Sequence, residues 1–218
     1  MNLFALEHAN LGYNGTHVVR DVSLAIEPGE RVAIVGRSGA GKSTLLHALY
    51  QQQMARTALV PQDGALVKQL SVYHNVYIGR LHRHGSLRNL VNLVRPLRAH
   101  VASVTAILEE LEMADKLFTP VGELSGGQQQ RTAVARALYQ GGEVLLGDEP
   151  VSAVDTTQGR GVLATIRRAC PTVVLVMHDV ELALEIATRI IGLRAGRVVF
   201  DRPVAEVSAA ELADLYAQ

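Results

Sequence analysis

The chain has 218 residues, 48% of them hydrophobic and 19% charged, and its 21 basic residues balance 21 acidic ones. This composition excludes a disordered chain, which would be more polar and more highly charged. It is typical of a folded domain with an ample hydrophobic core. A net charge of zero gives no support for a nucleic-acid partner.

The cysteine content and the apolar segments indicate the cellular compartment in which the protein works. Cys170 is the single cysteine, which excludes an internal disulfide and suits a reducing compartment. The longest apolar stretches, such as Val173–Met177, have the length of a strand and fall far short of the roughly 20 apolar residues of a membrane span. Because the N-terminal residues also lack a charged leader followed by an apolar core, we expect the protein to stay in the cytoplasm.

Short apolar runs alternate with helix-like segments along the chain. The predicted strands are, in order, Arg31–Val35, Ala58–Val60, Glu143–Gly147 and Thr172–Met177, followed by a hairpin of Arg189–Leu193 and Arg197–Phe200. Apolar residues at helical spacing predict helices around Val104–Leu111 and Val162–Ile166. Ser208 and Glu211 have the spacing of a capping box that opens a C-terminal helix. Strands that alternate with helices predict an α/β fold with a mostly parallel core sheet and ligands at the carboxyl ends of its strands.

A phosphate-binding loop is the first motif that carries chemistry. It fits the pattern GxxxxGKS, follows the strand Arg31–Val35 and precedes a helix predicted to begin near Lys42. Its residues are Gly36, Arg37, Ser38, Gly39, Ala40, Gly41, Lys42 and Ser43, followed by Thr44. Glycines let backbone N–H groups point at phosphate oxygens, Lys42 can reach the β- and γ-phosphates, and the Ser43 hydroxyl can ligate Mg²⁺. The motif predicts a bound nucleotide but not what is done with it.

Two adjacent carboxylates, Asp148 and Glu149, follow the strand Glu143–Gly147. An Asp at the carboxyl end of a buried strand beside a phosphate loop can hold Mg²⁺, directly or through water. The adjacent Glu149 can polarise the attacking water as a general base. A solvated loop start is the alternative explanation of such a pair, and the phosphate loop makes a hydrolytic site the favoured one.

The turn Ser125–Gly127 precedes a helix predicted from Gln128 to about Gln140. Its backbone N–H groups and hydroxyl make it a second helix start suited to binding an anion. The chain then has two phosphate-binding helix starts, and only one of them carries a lysine. A single nucleotide held by a single chain does not explain this arrangement.

The sequence LSGGQ, ahead of a strand that ends in DEP, resembles the signature of the ABC ATPases. The resemblance covers nearly the whole chain, because the family's motifs occur here in the family's order. It implies a P-loop NTPase cassette that binds ATP with Mg²⁺ and works as a dimer. In such a dimer two cassettes pack head to tail, and each signature loop covers the ATP on the partner's phosphate loop.

The resemblance also implies roles for residues outside these motifs. Tyr13 would stack on adenine, although a plain strand tyrosine stays the alternative, and Gln62 would sense Mg²⁺ and the γ-phosphate and link to a membrane subunit. His178 would contact the γ-phosphate, and the loop Ser152–Asp155 would touch the partner cassette. The other seven histidines have no such context.

The implied site residues fall into three groups. Catalysis is assigned to Glu149, His178, Lys42 and Gln62. The ligands of Mg²⁺ are Ser43, Gln62 and Asp148. The nucleotide contacts are Tyr13, the phosphate loop through Thr44, Gln62, Ser125, Gly126, Gly127, Gln128, Asp155 and His178.

One departure from the family concerns the segment between Lys42 and Gln62, which has only 19 residues where the family inserts a longer β-rich stretch. We therefore expect the antiparallel β lobe beside the nucleotide to be shortened. The whole chain, 1–218, is expected to be one ABC ATPase domain, with a core lobe at about 1–63 and 125–218 and an inserted helical lobe at about 64–124.

A basic segment, Gly64–Leu108, contains no Asp or Glu. Its lysine and arginines are Lys68, Arg80, Arg83, Arg88, Arg95 and Arg98. Such a run predicts a solvated face, and the alternative is a surface near lipid headgroups or an acidic partner segment.

Two segments, Leu70–Leu81 and Arg197–Val207, resemble those of phosphonate importers. This resemblance implies a homodimeric ATPase at the cytoplasmic face of the cell membrane, bound to transmembrane permease subunits and served indirectly by a substrate-binding protein. The cargo would be a phosphonate or a related phosphorus oxyanion.

Three other classes carry the same motifs or part of them. An exporter or lipoprotein-releasing ATPase has the same cassette. A non-transport ABC ATPase would show two cassettes or a long heptad insertion, and a catalytically silent module would lack Glu149 or His178.

Overall fold

The structure, a computed structural model, describes residues 2–13 and 15–217. The strands are β1 (Phe4–Tyr13), β2 (Thr16–Ile26), β3 (Arg31–Val35), β4 (Thr57–Val60), β5 (Val144–Asp148), β6 (Thr172–Val176), β7 (Arg189–Arg194) and β8 (Arg197–Pro203). The α-helices are α1 (Lys42–Gln52), α2 (Val72–Ile78), α3 (Ser86–Val94), α4 (Arg98–Glu110), α5 (Gly126–Gln140), α6 (Thr156–Ala169), α7 (Val180–Ile186) and α8 (Ala209–Tyr216).

Six strands form the main sheet, in the order β4-β5-β6-β3-β7-β8. The pairs from β4 to β7 are parallel, and β8 pairs antiparallel with β7 at one edge. β1 and β2 form a separate antiparallel pair. The predicted α/β class, the mostly parallel core sheet, the late hairpin and the small antiparallel part are thus confirmed.

The central strands are nearly continuous apolar runs because both faces of the sheet are covered. In β3, Val32 and Ile34 belong to the same core cluster as Leu45 of α1 and as β1 and β2. Ala33 and Val35 point to the opposite face and belong to the core that contains residues of α5, α6 and α7. All five residues of β5 and of β6 are buried.

The helices α2, α3 and α4 lie within the range 64–124. Tyr73 and Val76 of α2 are fully buried in the core that also contains residues of α4 and α5. The guanidinium of Arg80 lies 4.4 Å over the ring of Tyr139 in α5. Arg80 therefore belongs to the packing of this region, whereas Arg83 and Arg88 of the basic segment are exposed. Among the described residues, none of the helices has both the length and the apolarity that a membrane span requires.

Strand register decides which residues meet at the carboxyl edge of the sheet. Val60 pairs with Gly147, Gly147 with Leu175, and Ile34 with Val176. The four strands therefore end at nearly the same level. The predicted site residues that follow these strand ends are Gly36, Gln62, Glu149 and His178.

Arg189 connects the two sheets. Its guanidinium donates to Asp201 of β8 at 2.6 and 2.7 Å, to the carbonyl of Ala25 in β2 at 2.8 Å, and to Glu30 at 3.2 Å. The three charged side chains are 22–27% exposed. Partial burial and a forked geometry make this group stronger than an ordinary surface ion pair.

We expect Arg189→Leu to lower the free energy of unfolding by about 2–4 kcal/mol, because it leaves two partly buried carboxylates without their counter-charge. Urea denaturation measures the change. The matched control is Arg160→Leu, which removes a similar forked pair with Glu185 on the exposed surface, and it should move the midpoint much less. Equal shifts for both variants would contradict a special role for Arg189.

Candidate active site

The phosphate loop, Gly36–Ser43, is packed tightly between the two sheets. A Cβ on the buried Gly36 would lie 2.1 Å from the carbonyl oxygen of Leu193 in β7. Gly41 has a φ of +101°, and a Cβ there would lie 2.6 Å from a methyl group of Val19 in β2. Space and backbone conformation therefore both require glycine at these positions. α1 begins at Lys42, as predicted.

Lys42 is buried against the loop's own backbone. Its Nζ donates to the carbonyl oxygens of Gly36 at 2.7 Å and Arg37 at 3.0 Å. Burial lowers the pKa of Lys42, and the charges of Glu149 and Asp148 oppose that shift. The ammonium is thus held inside the loop, where it could donate to phosphate oxygens in place of these carbonyl oxygens.

Asp148, at the end of β5, has a carboxylate oxygen with spare capacity. The residue is 8% exposed, and its Oδ1 has no hydrogen-bond partner among residues 2–13 and 15–217. Burial raises the pKa of Asp148, whereas a hydrogen bond from Ser43 and the charge of Lys42 lower it. A buried carboxylate oxygen beside a hydroxyl is a donor set that suits Mg²⁺.

The described part of the chain has no group of three or more His, Cys, Asp or Glu residues able to hold a metal ion.

Glu149 and His178 are brought together, although their strands are separate in sequence. Oε1 of Glu149 lies 2.6 Å from Nε2 of His178. Glu149 has a φ of +55°, a conformation that costs a residue other than glycine on the order of 1–3 kcal/mol. Its N–H donates to the carbonyl of Val176 at 3.0 Å, so the sheet anchors this bend. Such strain is typical of a residue whose orientation matters for function.

Gln62 and Tyr13 lie on exposed positions around this centre. Gln62 follows β4 and lines one cleft together with Glu149 and with residues of α5. Tyr13 is 55% exposed at the end of β1, and its ring centroid lies 6.4 Å from that of His47 in α1. Tyr13 therefore stands beside the helix that the phosphate loop opens.

The signature turn, Ser125–Gly127, opens α5 through a complete capping box. Ser125 Oγ accepts from the N–H of Gln128 at 3.3 Å, and Gln128 Oε1 accepts from the N–H of Ser125 at 3.0 Å. Because Ser125 is the cap, the helix begins at Gly126, two residues before the predicted start. None of the hydrogen bonds within residues 2–13 and 15–217 uses the amides of Gly126 or Gly127. An anion bound at this turn would accept hydrogen bonds from these two N–H groups.

Asp155 has a local structural role in addition to the one implied by resemblance. Its carboxylate caps α6 by accepting from the N–H groups of Thr157 and Gln158, both at 3.0 Å. The loop before it, Ser152–Val154, packs against α5: a Cβ on Gly127 would lie 2.9 Å from the carbonyl oxygen of Ala153.

Three residues that sequence reasoning missed support the site. Arg136 of α5 donates to the carbonyls of Gly64 and Ala65, both at 2.6 Å, and so holds the segment after Gln62. Tyr216 of α8 accepts from the N–H of Gly36 at 3.3 Å. The amide of Gln130 bonds to the backbone around Glu149. Gln130 stands two residues after LSGGQ, and Arg136 and Tyr216 lie outside the motifs. The sequence gives no signal for their contacts, which depend on the tertiary fold.

Known proteins are similar to this chain in sequence and in fold. The model of the ABC transporter family matches residues 19–152. A phosphonates import ATP-binding protein, PhnC, of Pseudomonas entomophila is 42% identical, over 97% of this chain and 90% of its own. A protein of the same name from Shouchella clausii is 38% identical, over 93% of this chain and 86% of its own.

Solved structures have the same fold at lower sequence identity. A bacterial Atm1-family ABC exporter with ATP bound has a TM-score of 0.80 at 25% identity, over 98% of this chain and 42% of that one. A dimeric bacterial ABC transporter cassette has a TM-score of 0.78 at 24% identity, over 92% of this chain and 98% of its own. Because the family match spans more than half of the chain and relatives are about 40% identical over nearly its full length, the chain belongs to the ABC transporter family and is one of its ATP-hydrolysing cassettes.

Proposed function

We propose that this cassette powers the import of a phosphonate, or a related phosphorus oxyanion, through separate membrane subunits. The observation that carries the ATPase part is the convergence of Lys42, Asp148, Glu149 and His178 at one edge of the sheet. The cargo is proposed from the relatives named for phosphonate import, with 42% identity over 97% of the chain. No described residue is assigned to contact the cargo, because the ATPase does not need to touch it.

The proposed hydrolysis uses residues of this chain at each step. The backbone of the phosphate loop and Lys42 bind the β- and γ-phosphates, and Tyr13 stacks on the adenine. Glu149 takes a proton as water attacks the γ-phosphorus, and the bond to the β,γ-bridging oxygen breaks. His178, 2.6 Å from that carboxylate, orients it and reaches the γ-phosphate.

Mg²⁺ would be held by Ser43, Asp148 and Gln62 in this proposal. When bound, the ion neutralises charge on the phosphate oxygens. The unpartnered Oδ1 of Asp148 supports this assignment.

The active form is proposed to be a head-to-tail homodimer. Lys42 and Ser125 each open a helix suited to phosphate, and they belong to different helix starts of one chain. A solved cassette with a TM-score of 0.78 to this chain is dimeric. In the dimer each ATP would lie between one chain's Lys42 and the partner cassette's signature turn, and ATP would favour closure while hydrolysis releases it.

The membrane subunit is proposed to dock on the helical lobe, 64–124. α3 presents Leu87, Leu90 and Val94 to solvent at 77%, 60% and 81% exposure. Arg88 and Arg95 stand on the same helix or at its end, in the acid-free basic segment. This combination supports a partner segment that carries apolar and acidic side chains. The cassette would then sit at the cytoplasmic face of the membrane without entering it.

An exporter ATPase is the second candidate function. The likeness to an ATP-bound exporter, with a TM-score of 0.80, favours it. That likeness comes with 25% identity, against 42% for the importer relative, so import is the stronger proposal.

We expect Glu149→Gln to retain ATP binding and to reduce turnover by about 10²-fold or more, because the amide cannot accept the proton of the attacking water. Steady-state ATPase assays and equilibrium binding of ATP measure the two quantities separately. A variant that hydrolyses ATP at nearly the wild-type rate would remove Glu149 from the mechanism.

The composite site predicts that two inactive variants complement each other. Lys42→Ala removes the charge on the phosphates, and Ser125→Arg blocks the facing anion site, so each homodimer has two damaged sites. A mixed dimer has both defects in one site and leaves the other intact. Mixing the purified variants should therefore restore hydrolysis, up to the rate that one intact site supports.

The control for this experiment is proof that the mixed dimer has formed, for instance by native mass spectrometry. A verified mixed dimer in which Ser125 crosslinks to the nucleotide on its own chain's phosphate loop would refute the arrangement.

The cargo can be tested in cells. A strain that lacks this chain should fail to grow with a phosphonate as sole phosphorus source and should grow normally on phosphate. Wild-type protein should restore growth on phosphonate, and Glu149→Gln should not. Normal phosphonate growth of the deleted strain would exclude this cargo and favour the exporter.

A further inference from the structure

Gln130 makes three hydrogen bonds through its side-chain amide. Its Nε2 donates to the carbonyl oxygen of Glu149 at 2.7 Å and to Oγ of Ser152 at 3.0 Å. Its Oε1 accepts from the N–H of Ala153 at 2.8 Å. Two donors and one acceptor on the planar amide are thus matched by three partners, which gives the side chain one defined orientation.

These bonds act on the strained main chain of Glu149. The N–H of Glu149 is tied to Val176 in the sheet at 3.0 Å, and its carbonyl accepts from Gln130 at 2.7 Å. The carbonyl also accepts from the N–H and Oγ of Ser152, both at 3.3 Å, so Gln130 makes the shortest of the three bonds. With both sides of the Cα held at a φ of +55°, the direction of the side chain toward His178 is defined.

The same face of α5 contacts the signature turn. Gly127 and Gln130 are three residues apart and therefore neighbours on the helix surface. A Cβ on Gly127 would lie 2.9 Å from the carbonyl oxygen of Ala153 and 2.9 Å from a methyl group of Val154. The first turn of α5 and the residues from Glu149 to Val154 thus form one closely packed unit.

We infer that Gln130 is a positioning residue that holds the Glu149 carboxylate through its main chain and ties it to the signature turn of the same chain. This inference rests on the proposed function, in which Glu149 is the general base. In the proposed dimer, the signature turn of one chain covers the nucleotide of the other site. Gln130 would then link the occupancy of one site to the geometry of the base in the other.

The test compares Gln130→Met with wild type in the full chain. Methionine has a similar length and lacks the amide. We expect kcat for ATP hydrolysis to fall about 10- to 100-fold, because a small displacement of a catalytic group has effects of this size. The dissociation constant of ATP should stay within about twofold, since the lost bonds affect the reaction and not ground-state binding.

Two further variants separate positioning from folding. Gln130→Glu keeps the acceptor for Ala153 but cannot donate to Glu149, and it should lose as much activity as the Met variant. It also decides the question if the Met variant does not fold. Gln140→Met is the matched control, because Gln140 donates to the carbonyl of Thr57 at 3.3 Å from the far end of the same helix. Its turnover should equal that of wild type.

A double variant tests whether Gln130 acts through Glu149. Adding Gln130→Met to Glu149→Gln should cause no further loss in single-turnover hydrolysis, because the base is already absent. An equal loss in both backgrounds would overturn the inference, and so would a folded Gln130→Met protein with kcat within twofold of wild type. If Glu149→Gln itself leaves turnover unchanged, the proposed role of Glu149 fails and the inference fails with it.

Discussion

Burial of the parallel sheet on both faces is the constraint on which the rest of this molecule depends. β3, β5 and β6 are covered by α1 on one side and by α5, α6 and α7 on the other, so the interior positions of these strands are apolar. Polar chemistry can begin only where the strands end. Because the register aligns four strand ends, residues from distant parts of the chain meet at one edge, and the low dielectric of the core behind them strengthens every interaction of Lys42 and Asp148 with charge.

The motif residues at this edge need other residues to hold them in place. Glu149 occupies a backbone conformation that its own residue type disfavours, so its position must be maintained by neighbours: Val176 through the sheet, Ser152 through the following turn and Gln130 from α5. Lys42 is buried with backbone carbonyls and two nearby carboxylates. A site that is held this way from several elements is pre-organised for a charged substrate, with little left to rearrange when phosphates bind.

The sequence predicts the strands, the phosphate loop and the strand-end carboxylates because each of these features depends on a local pattern. The run Arg31–Val35 and the spacing of Gly36, Gly41 and Lys42 need no knowledge of tertiary contacts. α5 begins two residues earlier than the pattern predicts, because Ser125 is itself the cap and Gln128 completes the capping box. The contacts of Gln130 and Tyr216 could not be predicted, because their partners lie 19 and 180 residues away in the sequence. The residue type alone does not indicate which backbone group each side chain will meet in the fold.

The contact between Tyr216 and Gly36 has a consequence for the order of folding. The phosphate loop lies near the beginning of the chain, yet its first amide donates to a hydroxyl in α8, and Gly36 packs against β7. β3 also pairs with β6 and β7, both from the second half of the chain. During synthesis the loop therefore leaves the ribosome long before the surfaces that shape it, and the nucleotide site is among the last parts of the molecule to be completed.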